Sequence, residues 1–300
     1  MKNTKRNIAL WALLSTQLLT AEPAVAQNMV NRKEDLVENL KTTEDSMNSS
    51  ILKIIENNKN EIAYFTKLET KVYSDSTAKQ ELCTIPAWTY FRKAQINPEN
   101  SNENYTCFSI KEKQVWINNK SLEESNSNLL LKYLKPKTEK SIVVDKVNRK
   151  MSVYDQYGKR LLKEFSIALS PFEKWDKTIE WDGNTPEGKY YVCYKNPASS
   201  FWTNPNTGGR LWSLQVSYPN TQDAVEWLIS WDITKAQYQW IKNSIQQKKI
   251  PSQWTNLGNY IMVHWGGSEY DRTLGCMGLN NGDMLRLYNN ITSWTDMFIW

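Results

Sequence analysis

Tyr260-Ile261-Met262-Val263-His264-Trp265-Gly266-Gly267, followed after Ser268 to Arg272 by Thr273-Leu274-Gly275-Cys276-Met277-Gly278, is the stretch on which the reading of this chain turns. Tyr260 to His264 is rich in β-branched and aromatic residues and reads as a strand. His264 is the only histidine in 300 residues, and it lies 12 positions before Cys276, with glycines on either side of the intervening loop. A thiol attacks as its thiolate, and an imidazole held nearby takes the proton. Histidine is the side chain best suited to that transfer near neutral pH. Any histidine-dependent chemistry must therefore run through this one position. The competing reading is a structural histidine at a strand end and an inert buried cysteine. Spacing alone does not separate the two, because Cys–His signals are specific to families.

The surrounding residues add to the pair. From about Lys140 onward the chain carries Ser141-Ile142-Val143-Val144-Asp145-Lys146 and Lys150-Met151-Ser152-Val153-Tyr154, which look like a first hairpin. Thr185-Pro186-Glu187-Gly188-Lys189-Tyr190-Tyr191-Val192 follows, then Ser217-Tyr218-Pro219-Asn220, the histidine strand from Leu257, and Thr273-Leu274-Gly275-Cys276. In this order the segments resemble the YkuD-type L,D-transpeptidase domain, in which the third reads Thr-Pro-x-Gly-x-Phe/Tyr and the last Ser/Thr-x-Gly-Cys. The resemblance implies a β-sandwich catalytic domain that remodels bacterial peptidoglycan, and with it cell shape. It implies Cys276 as nucleophile and His264 as general base and acid. The residues flanking the pair, Trp265, Gly266, Gly267 and Thr273, are the expected substrate contacts.

Two positions depart from that pattern. The family has Gly directly after its histidine, where this chain has Trp265. It has Arg or Asn two residues after its cysteine, where this chain has Gly278. The Arg is associated with substrate anchoring, and an Arg-less branch of the family contains hydrolases as well as transpeptidases. The resemblance thus leaves the reaction type open.

Residues 1–26 read as a secretory signal. Lys2, Lys5 and Arg6 form a basic start, Ile8 to Leu19 is mostly apolar, and Ala24-Val25-Ala26 is a small-x-small cleavage site. The apolar run is shorter than the roughly 20 residues a spanning helix needs. The mature protein is therefore expected in the periplasm or cell envelope, with no stable membrane insertion after cleavage. Losing Lys2, Lys5, Arg6 and Glu22 takes the net charge from +5 to about +3, too mild a balance to point to nucleic acid. One histidine and no Cys-x-x-Cys spacing exclude a recognisable metal site, and no cofactor is implied. Of the four cysteines, Cys83 and Cys107 are expected to pair in an oxidising compartment. Cys193 would then be a lone buried strand residue, and a Cys193–Cys276 bridge would silence the enzyme.

The chain divides into the signal (1–26), a helical segment (27–66), a small β-rich domain (67–137) and the catalytic domain (138–300). Leu36, Leu40, Met47, Ile51, Ile54 and Ile55 recur at helical steps. Val72-Tyr73, Trp88 to Phe91, Thr106 to Ile110 and Val115 to Ile117 are short β-rich runs broken by Asn, Pro and Ser. Their order loosely resembles a bacterial SH3-like module, with Trp116 on its last strand. In the catalytic part, strands are expected at 142–144, 152–154, 189–194 and 260–264. Helices are expected from Ile233 to Lys248, capped by Thr234, and after Asn280 or Asn281. A helix beginning just after Cys276 would help hold a thiolate if its dipole pointed at the sulfur. The fold class is mainly β with flanking helices. Tryptophan is abundant, 14 in all with 11 after residue 150. Trp175, Trp181, Trp202, Trp212, Trp227, Trp231 and Trp265 fall near cleft-lining segments, and Trp265 is the one expected to face the cleft.

The mechanism these residues imply is attack of Cys276 on a stem-peptide carbonyl. The oxyanion would be held by the backbone N–H groups of Gly275 and Cys276, and the thioester resolved by an amine or by water. The alternatives are a hydrolase on the same peptides, a non-catalytic wall-binding protein with a decayed site, and an unrelated secreted thiol peptidase. Retention of both His264 and Gly275-Cys276 speaks against decay.

Overall fold

A computed structural model of the chain describes residues 61–300 apart from 159, 204–209 and 254. The expected signal and the amphipathic segment up to residue 60 lie outside the described residues.

The first elements are short strands: β1 Ile62–Thr66, β2 Thr70–Tyr73, β3 Glu81–Ile85, β4 Tyr90–Arg92, β5 Ile96–Asn97, β6 Tyr105–Ile110, β7 Lys113–Asn118 and β8 Leu122–Glu124. Alternation is clearest in β7, where Val115 and Ile117 are buried and Lys113 and Gln114 exposed, the period-two pattern of a half-buried strand. The eight strands form two sheets, ordered β4-β1-β8 and β3-β2-β7-β6-β5. The β unit starts earlier than its sequence suggests. Residues 62–66 are β1, not the end of a helical segment, because β1 is held by pairing to β4 and β8, far along the chain. Trp116 lies on β7, and β8 follows it as the last strand.

The expected Cys83–Cys107 bridge is not formed, and all four cysteines are free. Cys83 is on β3 and Cys107 on β6, with β2 and β7 between them. Three strand spacings of about 4.8 Å separate the backbones by roughly 14 Å, twice the reach of a disulfide. Closeness in sequence did not become closeness in space because the two strands sit on opposite sides of a central pair.

Helix α1 (Ser127–Leu134), capped by the Asn126 side chain, leads into the second unit. Its strands are β9 Ser141–Asp145, β10 Lys150–Asp155, β11 Arg160–Ser166, β12 Gly188–Thr203 and β13 Arg210–Val216. Then come helices α2 (Thr221–Ile229) and α3 (Lys235–Gln246), strands β14 Met262–Trp265 and β15 Met277–Leu279, helix α4 (Asn281–Asn290) and strand β16 Asp296–Ile299. The sheet order is β11-β10-β9-β16-β12-β13-β14-β15. The last strand inserts between β9 and β12, parallel to β9, so the C-terminus closes the sheet. The molecule is mainly β with flanking helices.

Capping follows the sequence closely. Thr234 accepts from the Gln237 N–H at the start of α3, and Asn280 accepts from the Asp283 N–H at the start of α4. At α2, Asn220 and Asp223 form a reciprocal capping box. One expectation about α4 is corrected. β15 stands between Cys276 and the helix, so its first turn begins roughly 13 Å along an extended chain from the Cys276 backbone. The helix end is beyond first-turn range, and its dipole does not act on the sulfur.

The two units share one core. Val72, Phe108 and Ile117 of the β unit belong to the same buried cluster as Ile142, Val192, Val263 and Leu279 of the large sheet. Polar contacts stitch the seam: Gln222 exchanges hydrogen bonds with the Tyr90 backbone, and Lys111 pairs with Asp232 while lying 3.3 Å from the Trp227 ring centroid. Among the described residues, no helix is long and apolar enough to cross a membrane.

Candidate active site

His264 lies on β14, between β13 and β15. It is opposite Ser213 in the antiparallel pair and opposite Gly278 in the parallel pair. That register puts Cys276, the residue just before β15, level with the entry to β14. Its thiol donates to the Tyr260 carbonyl at 3.5 Å. The Met262 N–H, directed at the sulfur, favours the thiolate.

The histidine's orientation is set by the backbone. Nδ1 is 2.5 Å from the carbonyl oxygen of Trp265. A carbonyl only accepts, so Nδ1 carries the hydrogen and Nε2 is the basic nitrogen. The sequence left the orienting group open between a side chain and a carbonyl; the structure shows a carbonyl. Burial pushes His264 below the ordinary imidazole value. The Trp265 contact opposes this, and the Arg272 charge adds to it. Burial pushes the Cys276 thiol up, partly offset by the Met262 N–H and by the Lys177 ammonium. Both shifts favour a neutral resting pair, thiol and imidazole, over thiolate and imidazolium.

The loop carrying Cys276 is tied down on several sides. The Arg272 and Thr273 N–H groups both donate to the Leu169 carbonyl. The Leu169 N–H donates to Asp271, which is held by the Arg149 guanidinium at 2.8 Å. Thr273 was expected to touch substrate. It is buried, and its hydroxyl donates to the Cys276 carbonyl at 2.7 Å, so it braces the cysteine's backbone instead. Gly275 has φ +106°, and a Cβ there would meet the Asn184 carbonyl oxygen at 2.7 Å. Only glycine fits both constraints. Asn184 directly precedes Thr185-Pro186, so that motif forms the wall against which the cysteine loop packs.

This wall is itself anchored by a buried cation. Lys146 Nζ donates to the carbonyls of Trp175 and Thr185 and pairs with Glu173 at 2.7 Å and Glu187 at 3.0 Å. Breaking such a buried pair from one side costs about 3–5 kcal/mol. Lys177, also buried, pairs with Asp182 at 2.8 Å and donates to the Ile179 carbonyl. Asp182 also accepts from the N–H groups of Thr178, Ile179 and Asn184.

Gly278 has no room for a side chain. A Cβ there would lie 2.9 Å from the Gly267 carbonyl oxygen and 3.4 Å from Ala168 Cβ. The Arg or Asn of the resembled family therefore has no counterpart at this position. Trp265 also differs from expectation. Side chains alternate along a strand, so Trp265 follows Val263 on the face opposite His264, half-buried against the core. Neighbourhood in sequence put the two side chains on different faces. Exposed aromatics include Phe172, Trp175 and Trp181, on the segment leading to Asn184, and Tyr260 and Tyr270, on the segments flanking His264. Trp231 is exposed just beyond the end of α2, Trp227 is buried, and Trp212 packs against the core. The Trp202 side chain lies outside the described residues. Gly266 and Gly267 form the corner after His264, and the Gly267 N–H donates to the Leu279 carbonyl at 2.8 Å. The arrangement offers a thiol and an oriented imidazole. Among the described residues no group of side chains could hold a metal.

Residues 139–299 match the YkuD family, the L,D-transpeptidase catalytic domain. No curated protein matches the chain. Among solved structures it is similar to Bd1075 of Bdellovibrio bacteriovorus, with 20% identity, coverage of 54% of this chain and 48% of that one, and a TM-score of 0.33. It is similar to the helical cell shape determining protein Pgp2 from Campylobacter jejuni, with 19% identity, 56% and 50% coverage, and a TM-score of 0.36. It is also similar to the L,D-transpeptidase from Xylanimonas cellulosilytica, with 12% identity, 55% and 63% coverage, and a TM-score of 0.31. The chain spans about half the length of the first of these solved structures.

Proposed function

The chain belongs to the YkuD family of L,D-transpeptidase catalytic domains, and from that premise we propose that it is an exported peptidoglycan L,D-transpeptidase acting through Cys276 and His264. The observation that carries this reading is the hydrogen bond between His264 Nδ1 and the Trp265 carbonyl. It makes Nε2 the proton acceptor on a strand whose entry lies beside the Cys276 sulfur. Cys276 attacks a stem-peptide carbonyl carbon as Nε2 takes the thiol proton. The tetrahedral oxyanion is held by the N–H groups of Gly275 and Cys276. The C–N bond breaks, the leaving amine takes the proton from the imidazolium, and a thioester remains on sulfur. An acceptor amine, deprotonated by the same nitrogen, attacks the thioester and releases the thiolate, which recovers the proton. Residues 138–300 act as the catalytic domain. The β unit before it, read as SH3-like, is a support packed on α2. The basic, apolar start of residues 1–26 directs export to the periplasm or envelope.

Hydrolysis of the same peptides is the second reading, favoured by Gly278. A transpeptidase must hold an amine beside the thioester and exclude water, and a missing anchoring side chain weakens that task more than it weakens admission of water. Incubation of tetrapeptide-bearing muropeptides with and without an added D-amino acid separates the two. Cross-linked dimers or exchanged termini are expected. Shortened peptides alone, at every acceptor concentration, would replace transfer with hydrolysis.

A further inference from the structure

Arg272 is the one arginine in the loop between His264 and Cys276, and its guanidinium is folded back rather than extended. A Cβ placed on Gly266 would lie 3.1 Å from Arg272 Nη2 and 4.0 Å from His264 Nδ1. The cation and the imidazole thus flank the same glycine. A Cβ on Gly267 would lie 2.7 Å from Nη2, so the guanidinium occupies space that any larger residue at this corner would take. Tyr270 supports it, with its hydroxyl 3.3 Å from Nη1 and its ring centroid 5.1 Å from the guanidinium carbon. The backbone beneath is fixed by the Arg272 N–H bond to the Leu169 carbonyl at 2.8 Å.

Among the described residues this guanidinium makes no ion pair; its contacts are to Tyr270. Glu269 approaches Gly267 without pairing with it. An arginine held on a glycine beside His264, with a tyrosine hydroxyl as its hydrogen-bond partner and no carboxylate on its fork of donors, has the chemistry of a carboxylate receptor. Its charge also reaches the site, since it is one of the causes that lower His264.

We propose that Arg272, seated on the Gly266–Gly267 corner, binds the free α-carboxylate of the donor peptide's C-terminal residue and so selects substrates cleaved one residue from their end. The assignment rests on the reading of Cys276 and His264 as the reacting pair. A terminal carboxylate lies one residue beyond the scissile carbonyl, about 3–4 Å along the chain. Binding it at this corner holds the donor's C-terminal residue, and with it the leaving amine, at the end of the strand that carries His264. The subsite takes a carboxylate on a C-terminal residue, and it disfavours peptides extended or amidated at that end.

Two measurements test this, and they fail separately. The first compares alkylation of Cys276 by iodoacetate and by iodoacetamide in the full chain, with the labelled cysteine located by peptide mapping. The reagents differ by one carboxylate, so the ratio of their rates reads the local cation independently of turnover. In Arg272→Ala the ratio is expected to fall about fivefold or more, as loss of one nearby charge in a partly screened site implies, while the iodoacetamide rate is unchanged. Arg272→Lys should recover part of the ratio, and Glu269→Gln should hold or raise it. The second compares a tetrapeptide donor with its C-terminal carboxamide. Arg272→Ala should lower kcat/KM for the acid at least tenfold and the amide's value by far less. An unchanged alkylation ratio, or equal losses on acid and amide, overturns the assignment. Labelling confined to cysteines other than Cys276, or no turnover of either peptide by the native protein, overturns the reading of the reacting pair instead.

Discussion

At the scale of single residues, a neutral thiol–imidazole pair differs measurably from a preformed ion pair. Burial raises Cys276 above its ordinary value of 9.0, and burial with the Arg272 charge lowers His264 below 6.5. Iodoacetamide should therefore label Cys276 at a rate that climbs through the alkaline range above pH 9, with no plateau between pH 5 and 8. Turnover should behave differently, because it needs His264 as the free base. It should hold through neutral pH and fall only as the pH drops through the lowered His264 value. A labelling plateau at acid pH would show a resting thiolate and contradict this electrostatic picture. Gly275→Ala should lower stability by about 1–3 kcal/mol, since alanine at φ +106° is strained and its Cβ strikes the Asn184 carbonyl. A urea midpoint equal to that of the native chain would remove the close approach from the account. His264, Cys276 and Gly275 stood out in the sequence by residue type and order, and the structure places His264 on β14 with Gly275 and Cys276 on the loop just before its parallel partner β15. The orientations of Thr273, Trp265 and Arg272 were not legible in the sequence. Whether a loop side chain turns inward to a carbonyl or back over a glycine depends on hydrogen bonds to residues such as Leu169, more than 100 positions away.

Among the elements, α2 is the one whose start is under electrostatic tension. Asp223 caps it through the Asn220 N–H and accepts from the Tyr190 hydroxyl. It lies deep in a seam that also holds Asp176, Glu226 and Arg92, beside a cavity of about 210 Å³. Burial pushes the Asp223 carboxyl up to about 7, and burial with neighbouring carboxylates raises Asp176 well above the usual range. The unfolded chain gives up the Asp223 proton near 3.8, the folded chain near 7. Between those values the folded state binds more protons, so this residue's contribution to stability falls as pH rises and is fully lost above about 7. Asp223→Asn keeps a hydrogen-bonding group there without the charge. The substitution should therefore raise the urea midpoint more at pH 8 than at pH 5. A larger gain at pH 5 would reverse the assignment. α3 and α4 were readable from their caps, and β9, β10, β12 and β14 from β-branched and aromatic runs. β16 and β13 escaped notice, because their pairing to β9, β12 and β14 is set by distant chain segments. The thiolate role expected of α4 failed on the three residues of β15 that separate it from Cys276.

For the molecule as a whole, one buried cluster runs from the β unit into the large sheet, and a lysine–aspartate pair and a glutamine–backbone exchange cross the seam. Calorimetry should record a single cooperative transition for the chain, and added reductant should leave its midpoint in place, since all four cysteines are free. Two separated transitions would divide the core, and a reductant-sensitive midpoint would restore a bridge. The sequence conveyed two regions and their order, but not that they share a core. Apolar residues announce burial without naming the partner surface. The central claim, that Cys276 carries the acyl group, is tested most directly on the intact protein. Mass spectrometry after brief mixing with a tetrapeptide donor should show the chain heavier by the acyl fragment left when the terminal residue departs. The adduct should map to Cys276, be released by hydroxylamine, and be absent from Cys276→Ser. Turnover of the same donor by Cys276→Ala, or an adduct mapping to any other residue, would contradict the account.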